Sequence, residues 1–331
     1  MGRLSISTLG GPSFFAASVA ILAVMPLVLT DYQASQLALV GIYFIAILGL
    51  NIVTGYNGQI SLGHGAFMGI GAYTTAILVT QDVMSDVWTI PLAGLVAGVV
   101  GFLFGFPALR LTGVYLALAT FGLAVAFTSL VQSSHFQSFT GGGGGLSVGL
   151  PTTPYYLTWG IACGLFLAAW VLLRGRLGRR FRAVRDAPIA AVSSGVNLAL
   201  VKASAFGLAA FYAGVAGALF AILTGFVNYL AFPVVLSITL LVGAALGGLG
   251  SLNGVIVGAL FVVYAPPFAE DHLSKEAPSV MYGLILLAVL FLMPAGAAQL
   301  LKKLLSLLKR IGKPLYDRGS GERGKLTRRG T

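Results

Sequence analysis

Residues 55–79 read GYNGQISLGHGAFMGIGAYTTAILV, which is apolar enough to enter a membrane but unusual for a lipid-facing helix. The stretch carries Asn57, Gln59, Ser61 and His64 within eight positions, together with six glycines. Polar side chains at membrane depth are costly unless they face other helices or a water-filled cavity. Closely spaced glycines let backbones approach each other or let a helix break. The stretch therefore predicts a broken or tightly packed helix inside a bundle.

The composition is typical of a polytopic membrane protein. Of the 331 residues, 57% are hydrophobic and only 9% are charged, whereas soluble domains are about one-quarter charged. The 45 glycines favour close helix packing in lipid. A single cysteine, Cys163, excludes an internal disulfide. We predict an all-α polytopic integral membrane protein in which some helices are short or broken.

Apolar runs long enough to cross a membrane recur along the chain. A span needs about 20 apolar residues, which predicts about ten transmembrane helices, or about eight at the least. They lie near 13–30, 36–54, 60–80, 88–106, 112–132, 155–173, 203–224, 234–249, 251–267 and 279–298. The region 234–267 is short for two full spans and is interrupted by Gly247, Gly248 and Gly250. We expect two short or broken helices there; the alternative is one long span with a re-entrant piece.

Basic residues are concentrated in two segments. Seven of the 20 lie between Arg174 and Lys202, and ten lie from Lys302 onward. Ten spans with a cytoplasmic N-terminus place 19 of the 20 on the inner side, in agreement with the positive-inside rule. We therefore predict a bacterial inner (plasma) membrane protein with both termini in the cytoplasm. The net charge of +11 follows from this topology and does not indicate a nucleic-acid partner.

This topology divides the chain into a transmembrane domain, 1–301, and a basic cytoplasmic tail, 302–331. A glycine-rich loop at about 133–154 falls on the periplasmic side, and a basic loop at about 174–202 falls on the cytoplasmic side. The tail begins as a basic amphipathic helix, which is typical of a membrane-surface anchor.

The basic loop contains the signals of a short helix. Asp186 can cap its N-terminus, Pro188 fits its first turn, and Gly195 suits its C-terminal end. These signals predict a helix over 187–194 that docks a soluble cytoplasmic subunit. The alternative is a basic loop that only obeys the positive-inside rule.

No catalytic, cofactor-binding or metal-binding residues are predicted. The histidines at 64, 135 and 272 have no partners at metal-ligand spacing, and the chain has no GxxxxGK[ST] motif for ATP phosphates. Transport therefore needs a partner that hydrolyses ATP, or an ion gradient. Gradient-driven carriers usually keep an ionisable residue at depth. Only His64 fits that description, which favours an ATP-driven partner over a gradient-driven secondary transporter or channel.

Polar residues in and before the glycine-rich stretch are the candidate functional residues of the membrane domain. They are Asn51, Asn57, Gln59, Ser61 and His64. One interpretation is that they satisfy backbone groups of broken helices and hold the bundle together. The other is that some of them line a translocation pathway, where broken-helix ends offer backbone donors to a substrate carboxylate.

Five segments, in the same order, resemble the permease subunits of branched-chain amino acid (Liv-type) ABC importers. They are GYNGQISLGHGAFMGIGAYTTA (55–76), PALRLTGVYLALATFG (107–122), FTGGGGGLSVGLP (139–151), GRRFRAVRDAPIAAVSSGVNLALVKASAF (178–206) and LGGLGSLNGVIVGA (246–259). In these importers, one permease subunit pairs with a distinct second permease. The spacing of the five segments is more similar to that of the first subunit than to that of the second permease.

The resemblance implies an inner-membrane permease subunit of an ABC importer. It implies that a homologous second permease completes the translocation pathway, that two cytoplasmic ATPase subunits use the ATP, and that a periplasmic substrate-binding protein delivers the substrate. Transport would follow alternating access. Branched-chain or other hydrophobic amino acids are the expected substrates, with urea, short amides or small aromatic acids as alternatives.

The resemblance also implies which residues of the basic loop take part in coupling the permease to the ATPases. These candidate coupling residues are Arg185, Asp186, Ala190, Ala191, Gly195 and Asn197. The chain departs from the family pattern at Val114, Leu123 and Thr239, at or near which many members carry an acidic residue. It also departs at Ile189, where ABC permeases often place a glutamate before the paired alanines.

Overall fold

The computed structural model of the chain describes residues 30–108, 111, 113–149, 154–272, 280, 281, 283 and 284. Helices dominate this part of the chain, so the predicted all-α class is confirmed. In chain order they are α1 (Asp31–Leu50), α2 (His64–Thr80), α3 (Asp86–Ala108), α4 (Val114–Gln132), α5 (Gln137–Thr140), α6 (Tyr155–Arg174), α7 (Arg176–Asp186), α8 (Pro188–Ser193), α9 (Leu198–Thr224), α10 (Val234–Gly247) and α11 (Val255–His272). Two short strands, β1 (Leu146–Ser147) and β2 (Phe226–Val227), pair antiparallel.

Within the described residues, six helical segments are long and apolar enough to cross a membrane. They are Asp31–Tyr56, Asp86–Pro107, Val114–Gln132, Tyr155–Arg174, Leu198–Thr224 and Tyr229–Gly247, and Val255–Phe268 is a shorter apolar helix. Every predicted span from 36–54 to 251–267 overlaps a helix. The predicted spans 13–30 and 279–298 and the tail 302–331 lie outside the described residues, apart from residues 30, 280, 281, 283 and 284. The count of about ten spans therefore stays a prediction.

A break interrupts the helical path between α1 and α2. α1 begins with a capping box, in which the Thr30 side chain accepts from the Gln33 amide and the Gln33 side chain accepts from the Thr30 amide. The helix then continues as a π-helix, Asn51–Tyr56, before the chain leaves helical geometry. α2 begins only at His64, so the span predicted near 60–80 starts later than expected. The glycine-rich sequence after the π-helix disfavours a helix there.

α1 and α9 form the centre of the bundle. In the most apolar window of each span, 83% of the residues are buried in Asp31–Tyr56 and 78% in Leu198–Thr224, against 28% in α4 and in α6. α9 packs most extensively against α3, then against α2 and α1. Helices α3, α4 and α6 expose many large apolar side chains, as outer helices of a membrane bundle do.

Small residues bring the central helices into backbone contact. A Cβ atom on Gly71 of α2 would meet the backbone of Gly214 in α9, and one on Gly217 would meet the Met68 carbonyl group of α2. Helices in lipid associate through such close packing, because lipid chains are as apolar as the side chains they replace. The glycines therefore fix the distance between α2 and α9.

The two strands join two loops at one end of the bundle. Leu146 pairs with Val227, and Ser147 pairs with Phe226. Gly145 precedes β1 with a φ of 74°, and a Cβ there would lie 2.6 Å from the Val227 carbonyl oxygen, so only glycine fits. The pairing requires that both loops lie on the same side of the bundle, as the charge distribution predicts.

The glycine-rich loop predicted at 133–154 is structured over its described part. It contains α5, a 3₁₀ turn at Gly142–Gly144 and β1. The buried Thr140 hydroxyl donates to the Val131 carbonyl oxygen at 2.8 Å, which holds the turn against the end of α4. The glycines therefore form a defined connection between α4 and the sheet.

α10 and α11 form a hairpin in the region 234–267. The chain is not helical over 248–254, which separates the two helices. A Cβ on Gly258 of α11 would meet the Gly243 carbonyl group of α10, so the two backbones are in contact. The expectation of two short helices is confirmed.

We expect Gly71→Ala to destabilise the isolated chain, because the added methyl group would meet the Gly214 backbone and push α2 away from α9. Overpacking of this kind costs about 1–3 kcal/mol. The matched control is Gly122→Ala on α4, where no atom from another described part of the chain lies within 4 Å of the added methyl group. Thermal unfolding in detergent should give a lower midpoint for Gly71→Ala only. Equal midpoints for the two variants would contradict the close packing.

Candidate functional site

The break between α1 and α2 re-forms hydrogen bonds within its own residues. We call residues 51–63 the broken segment. The Gln59 backbone amide donates to the Val53 carbonyl oxygen at 3.0 Å, and the Thr54 hydroxyl donates to the Gln59 backbone carbonyl oxygen at 3.1 Å. Backbone groups without partners are costly inside a membrane, so these bonds help to stabilise the non-helical path.

Asn51 fastens the broken segment to the linker between α10 and α11. Its Nδ2 donates to the Ser251 carbonyl oxygen at 2.9 Å, and its Oδ1 accepts from the Gly250 amide at 2.7 Å. Gly55 makes room for this contact, because a Cβ there would meet both Asn51 Oδ1 and the Gly250 amide. The buried Asn51 side chain therefore holds two parts of the fold together.

His64 and Ser61 also bind backbone groups. His64 Nε2 lies 2.9 Å from the carbonyl oxygen of Ala46 in α1, and it donates because a carbonyl oxygen only accepts. Ser61 Oγ accepts from the Gly63 amide at 3.4 Å. Both side chains are buried. The His64 contact places the start of α2 beside Ala46, which lies within α1 and before the π-helix begins.

Neighbouring helices hold the first turn of α2 from two sides. The Leu62 amide donates to Thr120 Oγ1 of α4, and the Gly65 amide donates to Ser237 Oγ of α10, each at 2.9 Å. The first amides of a helix have no partners within the helix. Here Ser237 satisfies one of them, so the Gly65 donor is not available to a substrate in this conformation.

Asn57 and Gln59 differ from the other predicted pathway residues. They are 3% and 5% exposed, and the side-chain nitrogen and oxygen of each have no hydrogen-bond partner in the described part of the chain. An unpaired buried polar group costs about 1–3 kcal/mol. These two amides are therefore free to bind a ligand or to find partners in another conformation. No group of three or more His, Cys, Asp or Glu side chains among the described residues could hold a metal ion.

Arg185 connects the basic loop to the broken segment. Its Nη1 donates to the Gly55 carbonyl oxygen at 2.7 Å, and its Nε donates to Asp186 Oδ1 at 2.8 Å. The hydrogen bond from Arg185 holds the pKa of the Asp186 carboxyl group below its ordinary value, so this carboxylate is charged at neutral pH. The contact brings the predicted coupling loop at 174–202 directly against the π-helix.

α7 is an amphipathic helix in a segment predicted as part of a basic loop. Phe181 and Val184 are buried against the bundle. The exposed face carries the arginines at 176, 179 and 180. The three-residue spacing of Phe181 and Val184 was the available signal, because it places both side chains on one helix face. The loop is therefore largely helical.

α8 occupies the predicted docking helix, but its N-terminus differs from the prediction. The N-cap is Ala187, and no side chain caps the helix. Asp186 ends α7 and binds Arg185 instead, so the prediction that Asp186 caps this helix is wrong. Pro188 lies at the first helical position, as predicted.

The C-terminal end of α8 follows the glycine signal. Gly195 has a φ of 80°, and its amide donates to the Val192 carbonyl oxygen at 2.9 Å. The Val196 amide donates to the Ala191 carbonyl oxygen at 3.0 Å. This pair of bonds is a Schellman motif, which needs a left-handed residue at the position of Gly195.

The remaining coupling candidates have different environments. Ala190 is exposed, Ala191 is buried, and the Asn197 side chain caps α9. Ile189 and Val192 are 84% and 53% exposed and form the apolar surface of α8. Sequence reasoning did not select these two as docking residues, although their three-residue spacing places them on one helix face.

Comparison with known proteins identifies the family. A family model described as the permease component of the branched-chain amino acid transport system matches residues 33–292. The chain belongs to this permease family. It is 32% identical over 325 residues to the high-affinity branched-chain amino acid permease LivM of Salmonella typhimurium, covering 88% of this chain and 75% of that protein. LivH of Escherichia coli is 27% identical over 281 residues, covering 77% and 90%. No solved structure matches the chain.

The family match confirms the resemblance of the five sequence segments. This permease is a multi-pass membrane subunit of a transport system. It is similar to both LivM and LivH, with the higher identity to LivM. The broken segment and the α7–α8 region both lie within the matched residues.

We expect Asn51→Leu to destabilise the permease and Asn57→Leu to leave its stability unchanged or slightly higher. The first variant leaves the part-buried Ser251 carbonyl and Gly250 amide without the Asn51 side chain, and a lost hydrogen bond of this kind costs about 0.5–1.5 kcal/mol. The second removes a side-chain amide that has no hydrogen-bond partner among the described residues. Thermal unfolding of the two purified variants measures the difference. An unfolding midpoint for Asn57→Leu as low as that of Asn51→Leu would contradict the distinction.

Proposed function

We propose that this permease is a membrane subunit of an ABC importer and that a homologous second permease completes its pathway. The family match over residues 33–292 carries this proposal. Similarity to both LivM and LivH supports a pair of different permeases. Two cytoplasmic ATPase subunits supply the energy, and a periplasmic binding protein delivers the substrate. The chain lies in the inner membrane with both termini in the cytoplasm.

The proposed substrates are leucine, isoleucine, valine and similar hydrophobic amino acids. The names of LivM and LivH, which are branched-chain amino acid permeases, support this class. Urea, short amides and small aromatic acids are the competing substrates. The unpaired amides of Asn57 and Gln59 offer both donors and acceptors to the polar end of any of these molecules.

α8 is the proposed docking site for one ATPase subunit. Ile189 and Val192 extend from a short helix outside the membrane-spanning segments, where exposed apolar side chains commonly mark a binding surface. An apolar helix face that enters a groove is a common mode of recognition between proteins. The basic α7 lies directly before α8, and its Arg185 contacts the Gly55 carbonyl oxygen of the broken segment.

Alternating access is the proposed mechanism. Closure of the ATPases on ATP moves the docking helices, and the membrane helices then change which side of the pathway is open. The broken segment supports this mechanism, because a π-helix followed by non-helical residues lets α1 and α2 move relative to each other. Asn57 and Gln59 lie in the part of the chain that would move.

Reconstitution tests the proposed function. The permease, its cognate second permease and ATPases are placed in liposomes together with the cognate binding protein. We expect uptake of radiolabelled leucine only when ATP is present on the side of the ATPases. Competition by excess urea, acetamide or benzoate would favour the corresponding alternative substrate. Uptake driven by a proton or sodium gradient without the ATPases would overturn the ABC importer in favour of a secondary transporter.

We expect Ile189→Arg to lower the amount of ATPase that co-purifies with the permease about tenfold, because it places a charge at the centre of an apolar contact. Val83→Arg is the matched control, since Val83 is 60% exposed in the loop between α2 and α3. This loop lies on the predicted outer side, so the substitution at Val83 should leave ATPase binding unchanged. Equal co-purification of the ATPases with both variants would contradict docking on α8.

A further inference from the structure

Arg185 lies where a movement of α8 can reach the membrane helices. Only Ala187 separates the end of α7 from the start of α8, so a displacement of α8 acts directly on the last turn of α7. Arg185 belongs to that turn, and its Nη1 donates to the Gly55 carbonyl oxygen across 130 positions of sequence. The contact therefore joins the proposed docking helix to the broken segment.

The broken segment is shaped around the Arg185 side chain. Gly58 has a φ of 76°, and a Cβ there would lie 2.6 Å from Arg185 Cγ. Gly250 has a φ of 80°, and a Cβ there would lie 3.6 Å from Arg185 Nη1. Glycine adopts these backbone angles without strain, and at position 58 it also leaves space for the arginine. The guanidinium group consequently lies where the broken segment meets the linker after α10.

The buried side of the same stretch can move at low cost. Gly58 and Ile60 are exposed, whereas the residues that alternate with them, Asn57 and Gln59, are buried. Because the side-chain amides of Asn57 and Gln59 have no hydrogen-bond partners within the described ranges, their displacement breaks no side-chain hydrogen bond recorded there. Arg185 thus supplies a polar contact from the α7–α8 region to a stretch whose two buried side-chain amides hold no partner among the described residues.

We propose that Arg185 is a positioning residue that couples the movement of α8 to the broken segment, and through it to the start of α2. The inference rests on the proposed function, because it requires an ATPase that moves α8. A guanidinium group suits this role, since it binds Asp186 and the Gly55 carbonyl group at the same time in fixed directions. A lysine has one nitrogen and cannot reproduce this geometry.

Neighbouring arginines do not make this connection. Arg182 Nη1 donates to the Leu173 carbonyl oxygen at 3.2 Å, and Arg179 Nη1 donates to that of Arg174 at 3.4 Å. Both contacts stay at the junction of α6 and α7. Arg179 therefore offers a control with the same charge on the same helix.

The test compares Arg185→Gln and Arg185→Lys with Arg179→Gln in the reconstituted complex. Substrate uptake and ATP hydrolysis are measured together, and their ratio reports coupling. We expect Arg185→Gln to lower this ratio about tenfold, the scale of one lost hydrogen bond from a charged group. ATPase binding and hydrolysis should remain, because α8 itself is unchanged. Arg185→Lys should lower the ratio less, and Arg179→Gln should leave it at the wild-type value.

Hydrogen exchange supplies a second readout on the permease alone. The amides of residues 55–63 should exchange faster in Arg185→Gln than in the wild-type protein, whereas Arg179→Gln should match the wild type. Unchanged exchange in Arg185→Gln would overturn the contact itself. If Arg185→Gln fails to fold, the uptake-to-hydrolysis ratio and the exchange of Arg185→Lys decide the matter.

The outcomes separate this inference from the proposed function. A wild-type complex that transports, with an unchanged ratio in both Arg185 variants, would overturn the coupling role alone. Loss of ATPase binding in the Arg185 variants would also overturn it, because it would assign Arg185 to docking. A wild-type complex without ATP-driven uptake would overturn the proposed function and the coupling role with it.

Discussion

Backbone polar groups inside a membrane need partners within the protein, and this constraint is most demanding where α1 gives way to α2. Residues 57–63 are not helical, so part of their bonding comes from other helices. The Leu62 amide uses Thr120 of α4, and the Gly65 amide uses Ser237 of α10. The break is stable because α4, α10 and the linker after α10 surround it. Its geometry therefore depends on residues far away in the sequence.

Tight and loose packing lie side by side in this permease. The body of α2 is in backbone contact with α9 through Gly71 and Gly214, which fixes it in the centre of the bundle. The broken segment before it has two buried side-chain amides, at Asn57 and Gln59, that find no hydrogen-bond partner in the part of the chain that the structure describes. A transporter needs a rigid frame and a part that changes position at low cost. The contrast between α2 and the broken segment matches what the proposed alternating access requires.

The polar residues of the broken segment divide by their partners. Asn51, Ser61 and His64 hold backbone groups and therefore act as structural links in this conformation. Asn57 and Gln59 hold none, and they are the groups available to a substrate or to a second conformation. The two interpretations of these side chains thus apply to different residues. Whether a side chain has a hydrogen-bond partner, and not its chemical type, decides which interpretation applies to it.

Local patterns in the sequence were sufficient for the long apolar helices, the end of α8 at Gly195 and the membership of the permease family, because hydrophobic runs, glycine signals and motifs are read from neighbouring residues. Sequence patterns did not reveal α7, the start of α2 at His64, or the exposed position of Ile189. They also could not pair Asn51 with Gly250 or Arg185 with Gly55. Those features depend on contacts between distant segments, which exist only after the helices have packed. The sequence therefore determined which elements form, and the packing of α4, α9 and α10 around the break determined which polar groups are bound and which are free.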